Sequence, residues 1–290
     1  MSASIETPSY CQYSSGPCDQ SFAGIAATDV YFFYSSRPEV IASTIEEGAE
    51  LLRGRESSWA IKTWRDMPVN GQLIFCQVCK AQRFTRVAVV DVTTMNFNLM
   101  FEIGYALGLG IPVVPIRDTT YTLDTQEFES LGLIDTLGYL DFQNSEELAA
   151  KLPAAVKNAS IPIAATFAPN REQPCYLLKS PIVTNGLVKV ISAVKKSGLR
   201  FRTYDPKEQP RLSLQDAFRQ VKTSIGVSVY HCHHSGQAQL CTMPVVRLLR
   251  GWQWRQVLTY SHFRKVIILN SPLIIATWSN ITRTARRFST

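Results

Sequence analysis

The stretch Val87–Arg117, VAVVDVTTMNFNLMFEIGYALGLGIPVVPIR, decides the fold class. Val87–Val90 is a short apolar run that ends on Asp91, and Ile111–Ile116 is a second. Between them Met100–Leu109 carries apolar and small residues suited to a helix. Strands covered on both faces read as continuous apolar runs, so two of them joined by a helix predict a parallel βαβ unit. In open parallel sheets the ligand crevice lies beyond the carboxyl ends of the strands. Asp91 stands at such an end, followed by a polar loop holding Asn96 and Asn98. Glu102 falls in the first turns of the helix, where it can be aimed back over that crevice. A carboxylate so placed is a candidate nucleophile or electrostatic stabiliser. Its apolar neighbours Phe101, Ile103 and Tyr105 set it at a partly buried position, where an unpaired carboxylate is costly.

The same alternation continues on both sides. Val30–Tyr34 reads as a strand, Glu39–Arg53 as a helix, Trp59–Trp64 as a strand and Gln72–Gln82 as a helix; Ala149–Val156 closes the series as a helix that Ser145 can cap. The loop Tyr34-Ser35-Ser36-Arg37 leads from a strand into a helix, a geometry that offers backbone N–H groups and a cation to a phosphate or sugar. It has no glycine-rich fingerprint, and an ordinary βα loop with a serine cap explains it equally. At the end of the second strand, Trp64 could stack on a base and Asp66 could bind ribose hydroxyls, while core packing accounts for Trp64 just as well. Asp91 could simply cap its own loop, and Asn96 and Asn98 are turn residues on local grounds.

The pattern D-x-T-x-x-N-x-N-x-x-F-E-I-G-Y-A-x-G-L-G-x-P-V, spanning Asp91–Val113, resembles the nucleoside 2-deoxyribosyltransferase-like and TIR-like superfamily. The resemblance implies a flavodoxin-like parallel sheet and chemistry at the N-glycosidic bond of a nucleoside, a nucleotide or NAD. It implies that Glu102 is the catalytic glutamate, that Asp91 lines the sugar pocket, and that Asn96 and Asn98 help form that pocket. A carboxylate in this role attacks the anomeric carbon, or stabilises an oxocarbenium-like state as the base departs. No prosthetic group is required, and NAD would be a substrate. Related domains that bind nucleotides without turning them over leave an alternative: a non-catalytic nucleotide sensor or an oligomerising signalling module, with self-association as its consequence.

Composition bounds the rest. A chain of 290 residues with 46% hydrophobic content has room for two modest domains. Met1–Gln20 is polar and lacks the apolar centre of a secretion signal. The most apolar run, Val266–Trp278, is too short to span a bilayer and is broken by Asn270, Ser271 and Pro272, which argues against a membrane protein. Seven cysteines without a secretion signal point to a reducing cytoplasm, with free thiols or metal ligands in place of disulfides. Cys76 and Cys79, with Cys11 and Cys18, could supply four thiolates to a structural zinc ion. Cysteines three apart on a helix are, however, often just small buried hydrophobes. A redox reading of the CxxC meets the objection that the pair sits mid-helix.

The net charge of +7 would ordinarily suggest nucleic acid, but its distribution argues otherwise. Cys232–Thr290 holds eight Lys/Arg and no acid, which leaves 22 basic and 23 acidic residues in the first 231. After a polar linker at Asn170–Pro174 the order of elements restarts, with CYLLKSP and LRFRTYD as strands, GLVKVISAVKKSG and SLQDAFRQVKTS as helices, and IGVSVYH as a third strand. Ile61-Lys62-Thr63-Trp64 and Phe201-Arg202-Thr203-Tyr204 stand 140 positions apart, as do Asp91 and His231, which reads as an internal duplication. A counterpart of the FEIGYA helix should therefore follow His231. The chain gives CHHSGQAQLCTMPVVRLLRGWQWRQVLTYS instead. Taking the third base of each codon with the first two of the next, the code permits a small-residue helix, HNARCALVAGMAMA, followed by a strand. Two of its alanines are forced, by Met243–Pro244 and Trp252–Gln253. Residues from about 232 onward thus read as translated out of frame, and the His231-Cys232-His233-His234 cluster and the Trp/Arg interleaving of the tail are discounted as sites. Even in the corrected reading the second copy lacks a glutamate at the place of Glu102. The expected organisation is an N-terminal extension (1–28), a catalytic α/β domain (29–169), the linker (170–174), a partial second domain (175–231) and the tail (232–290).

Overall fold

The computed structural model describes residues 21–67, 71, 74–94, 97–121, 137–160, 167–178, 185–196, 198–204, 213–224, 226–230, 257–260 and 265–269. It divides into two compact units, with the main division near residue 165, a few positions before the expected linker.

In the first unit the order is β1 (Thr28–Phe33), α1 (Glu39–Arg55), β2 (Ile61–Thr63), α2 (Ile74–Arg83), β3 (Thr85–Asp91), α3 (Phe97–Leu109), β4 (Val113–Asp118), β5 (Leu140–Phe142) and α4 (Ser145–Asn158). All five strands run parallel, in the order β2-β1-β3-β4-β5. This is a mixed α/β fold whose strand order is compatible with a flavodoxin-like sheet. The order reverses between β1 and β3, because the chain leaves β1 toward one edge and β3 toward the other. Helices cover both faces: α1 packs on α4, and α2 on α3. Side chains alternate along each strand. Val30, Phe32, Tyr34, Val87, Val89, Val114 and Ile116 therefore join Ile41, Ile45, Leu52, Leu148 and Leu152 in one core on the α1/α4 side. Tyr31 and Phe33 stack at 4.7 Å on the other side.

Helix ends account for the boundaries. Gly110, at φ +75°, lets α3 stop and turn into β4, its N–H bonding to Leu107 and that of Ile111 to Ala106. At the start of α4 the cap is Asn144 and not Ser145 as expected, because the Asn144 side chain accepts the Glu147 N–H at 2.9 Å.

The second unit holds β6 (Cys175–Leu178), α5 (Asn185–Lys196), β7 (Phe201–Tyr204), α6 (Leu214–Lys222), β8 (Gly226–Tyr230), β9 (Val257–Tyr260) and β10 (Lys265–Leu269). Its strand order is β7-β6-β8-β10-β9. β6 is parallel to β7 and β8, whereas β10 lies antiparallel to β8 and β9. Leu214, Ala217, Phe218 and Val221 form the buried stripe of α6, which Ser213 caps by accepting the Asp216 N–H at 3.0 Å. No helix among the described residues is long and apolar enough to cross a membrane.

Candidate functional site

The strand order reverses between β1 and β3, and in sheets of this kind ligands sit beyond the carboxyl ends of the strands at such a reversal. On the β1/β2 side most polar groups already have partners. The Tyr34 hydroxyl donates to Glu46 at 2.9 Å, and burial raises its pKa. One oxygen of Asp66 accepts the Thr63 N–H at 2.6 Å and the Arg53 guanidinium at 2.7 Å, closing the tight turn Trp64–Asp66. Asp66 is thus engaged in holding its own loop. Trp64 packs against the core beside Tyr34, the rings meeting edge-on at 6.1 Å, with the Arg65 guanidinium 5.7 Å above the indole. Its buried indole N–H has no partner among the described residues. Ser35 accepts the Arg37 N–H at 3.2 Å, and Ser36 and Arg37 are exposed. That bond occupies one of the loop's N–H groups.

Asp91 is buried at the end of β3, with 1% of its surface exposed. Its carboxylate accepts the Thr93 N–H at 2.9 Å, and the Thr93 hydroxyl in turn accepts the Asp118 N–H at 2.8 Å. Asp118 accepts from the Thr120 N–H at 2.8 Å and from its hydroxyl. Burial pushes Asp91 up to about 6, against the Thr93 bonds that favour its charge, and the Asp118 charge adds to the rise. By strand alternation Asp91 points to the face of Val87 and Val89, the α1/α4 side.

Glu102 approaches from the opposite face, on α3. Side chains on a helix lean toward its N-terminus, which carries this one toward the carboxyl ends of the strands. The residue is half-buried. Among the described residues no cation or donor meets that group, and burial alone pushes it up to about 8. Its charge, with that of Asp66, acts on the Tyr31 hydroxyl, which burial already holds far above the usual phenol range. Tyr31 is 2% exposed, and its hydroxyl has no partner among the described residues. Sequence reasoning missed Tyr31. The available signal was a phenol in the middle of VYFF, where a fully buried strand has no need of a polar tip. Gln82 was missed as well: fully buried on α2, it donates to the Glu102 carbonyl at 3.0 Å and keeps an unpartnered amide oxygen.

By strand alternation Tyr31 takes the α2/α3 face of the sheet, where the Glu102 charge acts on it, and Asp91 takes the opposite face. Asn98 is exposed on the first turn of α3. Asn96, Cys11, Cys18 and the His231–His234 cluster lie outside the described residues. Among the described residues, no group of three or more His, Cys, Asp or Glu is placed to hold a metal ion. No family model and no curated relative matches this chain.

Proposed function

We propose that residues 29–169 act on the N-glycosidic bond of a nucleoside, a nucleotide or NAD, by hydrolysis or by transfer. The observation that carries this reading is the desolvated carboxyl of Glu102, whose charge acts on the unpartnered hydroxyl of Tyr31, at the switch point of a parallel sheet. A buried acid without a partner is costly to keep, so it suits a group whose partner arrives with the substrate. Glu102 is the catalytic carboxylate, and the unpartnered Tyr31 hydroxyl is left to donate to the substrate. Asp91, engaged with Thr93, holds the loop from which α3 springs and orients the sugar from the far side of the crevice. Trp64, with its free indole N–H, faces the base or ribose; Ser35, Ser36 and Arg37 form the outer rim. No prosthetic group takes part.

A second reading is favoured by one fact: a carboxyl pushed up to about 8 is mostly neutral at pH 7 and donates a hydrogen bond more readily than it attacks carbon. On that reading the unit is a nucleotide sensor or a self-associating signalling module using the same pocket. Base release from NAD and from deoxynucleosides, by the wild type and by Glu102→Gln, decides between the two. Turnover that falls by about a thousandfold or more in the variant supports the enzyme. Binding without turnover in either protein supports the sensor.

The second unit, with order β7-β6-β8 against β2-β1-β3, is read as a tandem copy that lacks the glutamate. The free thiols at Cys76, Cys79 and Cys175 support a reducing, cytoplasmic setting. The partners proposed are small molecules, and neither nucleic acid nor membrane.

A further inference from the structure

The seam between α2 and α3 is built from three contacts spaced along α2. Phe75 meets Phe101 with ring centres 5.4 Å apart, the Cys79 sulfur lies 2.7 Å from the Tyr105 hydroxyl, and Gln82 donates to the Glu102 carbonyl at 3.0 Å. The thiol is the middle one. The Arg83 guanidinium reaches both Cys79 and Tyr105. Cys76 lies one turn before Cys79 on the same side of the helix; neither sulfur is in a disulfide, and both residues are half-buried. Reactive cysteines sit in such places: partly exposed, beside a cation, with a second thiol in reach. Both cysteines lie within α2, so a bond between them has to deform the helix.

The distances define what must move. Residues three apart in an α-helix have Cα atoms roughly 5 Å apart, within the span a disulfide tolerates. Their Cβ atoms stand about 5–6 Å apart, however, and a disulfide requires roughly 3.5–4.5 Å. Joining the two sulfurs therefore tightens the turn of α2 between them and draws the Cys79 sulfur off Tyr105.

We propose that Cys76 and Cys79 are a peroxide-responsive dithiol whose disulfide opens the α2/α3 seam and displaces the helix that carries Glu102. Cys79, beside Arg83, gives up its proton and attacks one oxygen of hydrogen peroxide. The O–O bond breaks, Cys79 becomes a sulfenic acid, and the departing hydroxide takes the released proton to form water. The Cys76 sulfur then attacks the sulfenic sulfur, the S–S bond forms, and a second water leaves with the Cys76 proton. Two thiols are oxidised and one peroxide is reduced to two waters. The effect on catalysis rests on the proposed function; the chemistry of the dithiol does not.

The test uses the full chain, treated with hydrogen peroxide, alkylated without reduction and cleaved with trypsin. Arg65 and Lys80 bound a peptide, Asp66–Lys80, that contains Cys76, Cys79 and no other cysteine. The expected product is that peptide unalkylated and two hydrogens lighter, reverting under a thiol reductant. In Cys76→Ser, Cys79 should be trapped by dimedone as the sulfenic acid, and circular dichroism checks that the variant folds. Base release should fall on the order of tenfold or more in the oxidised protein and recover on reduction, as misplacement of a catalytic group by about 1 Å can produce. A peptide that stays doubly alkylated, or a disulfide to any other cysteine, overturns the proposal. A Cys76–Cys79 disulfide in a chain that releases no base even when reduced leaves the dithiol standing and defeats the catalytic reading. Hydrogen exchange along α2 and α3 then reads the seam directly: faster exchange on oxidation supports its opening, and unchanged exchange overturns it.

Discussion

Glu102 meets no partner among the described residues, and its carboxyl is pushed up to about 8 by burial alone. Two pH dependences follow. If Glu102 attacks as the carboxylate, kcat/KM should climb with pH and level off above about 8, and the Gln variant should show no such limb. A falling limb at that pH would make Glu102 a proton donor instead. Stability should run the other way. The folded protein keeps a proton on Glu102 that the unfolded chain gives up near the ordinary value of 4.5, so stability is full in acid and is lost as pH rises through about 8. Glu102→Gln should remove that loss, which urea unfolding across the pH range can detect. Asp91 carries a rise of the same sign but has different neighbours. Asp91→Ala strands the Thr93 N–H and should cost about 1–3 kcal/mol. Asp91→Asn keeps an acceptor for Thr93 and removes the titration near 6. Its base release should stay within a few-fold of wild type if Asp91 serves by position, and collapse if Asp91 must carry charge onto the sugar.

The elements show why part of the architecture could be read in advance. β1, β3 and β4 are buried on both faces, so they read as apolar runs; α1 and α3 fall between them, and α4 closes the series, in the expected order. β5, with only three residues, gave no such run and was not anticipated. The site was legible to the extent that it follows from position along the chain: Asp91 at a strand end, Glu102 in the helix after it. What could not be read was the face of the sheet each side chain takes, because that depends on which helices cross on which side. Tyr31 and Gln82 were hidden for the same reason, each reading as an unremarkable member of its element. Close helix packing escaped the sequence as well. A Cβ at Gly48 on α1 would lie 2.8 Å from the Leu148 side chain and 3.3 Å from the Ser145 carbonyl on α4. Gly48→Ala should therefore destabilise the first unit by about 1–3 kcal/mol despite the better helix propensity of alanine, and chemical unfolding of the variant checks it.

At the scale of the whole molecule the two units differ at one edge. In the first, β3 passes through α3 to a parallel neighbour, β4, and that crossover brings Glu102 to the crevice. In the second, the strand beside β8 is β10, it runs antiparallel, and it comes from the tail that reads as out of frame. An antiparallel strand at the edge of a parallel sheet occurs in natural α/β proteins, so the pairing itself does not decide the origin of the tail. The coding DNA does. A one-base insertion or deletion near codon 232 should restore a reading with the small-residue helix and a following apolar strand. That corrected chain should melt at a higher temperature than this one and resist aggregation, since a restored helical crossover covers one face of the sheet. The prediction separates cleanly from the catalytic one, because the corrected second copy still has no glutamate to match Glu102. Base release per molecule should therefore be unchanged while the unfolding midpoint rises. If no single-base change restores the helix, the tail is a genuine extension and the second sheet is complete as it stands.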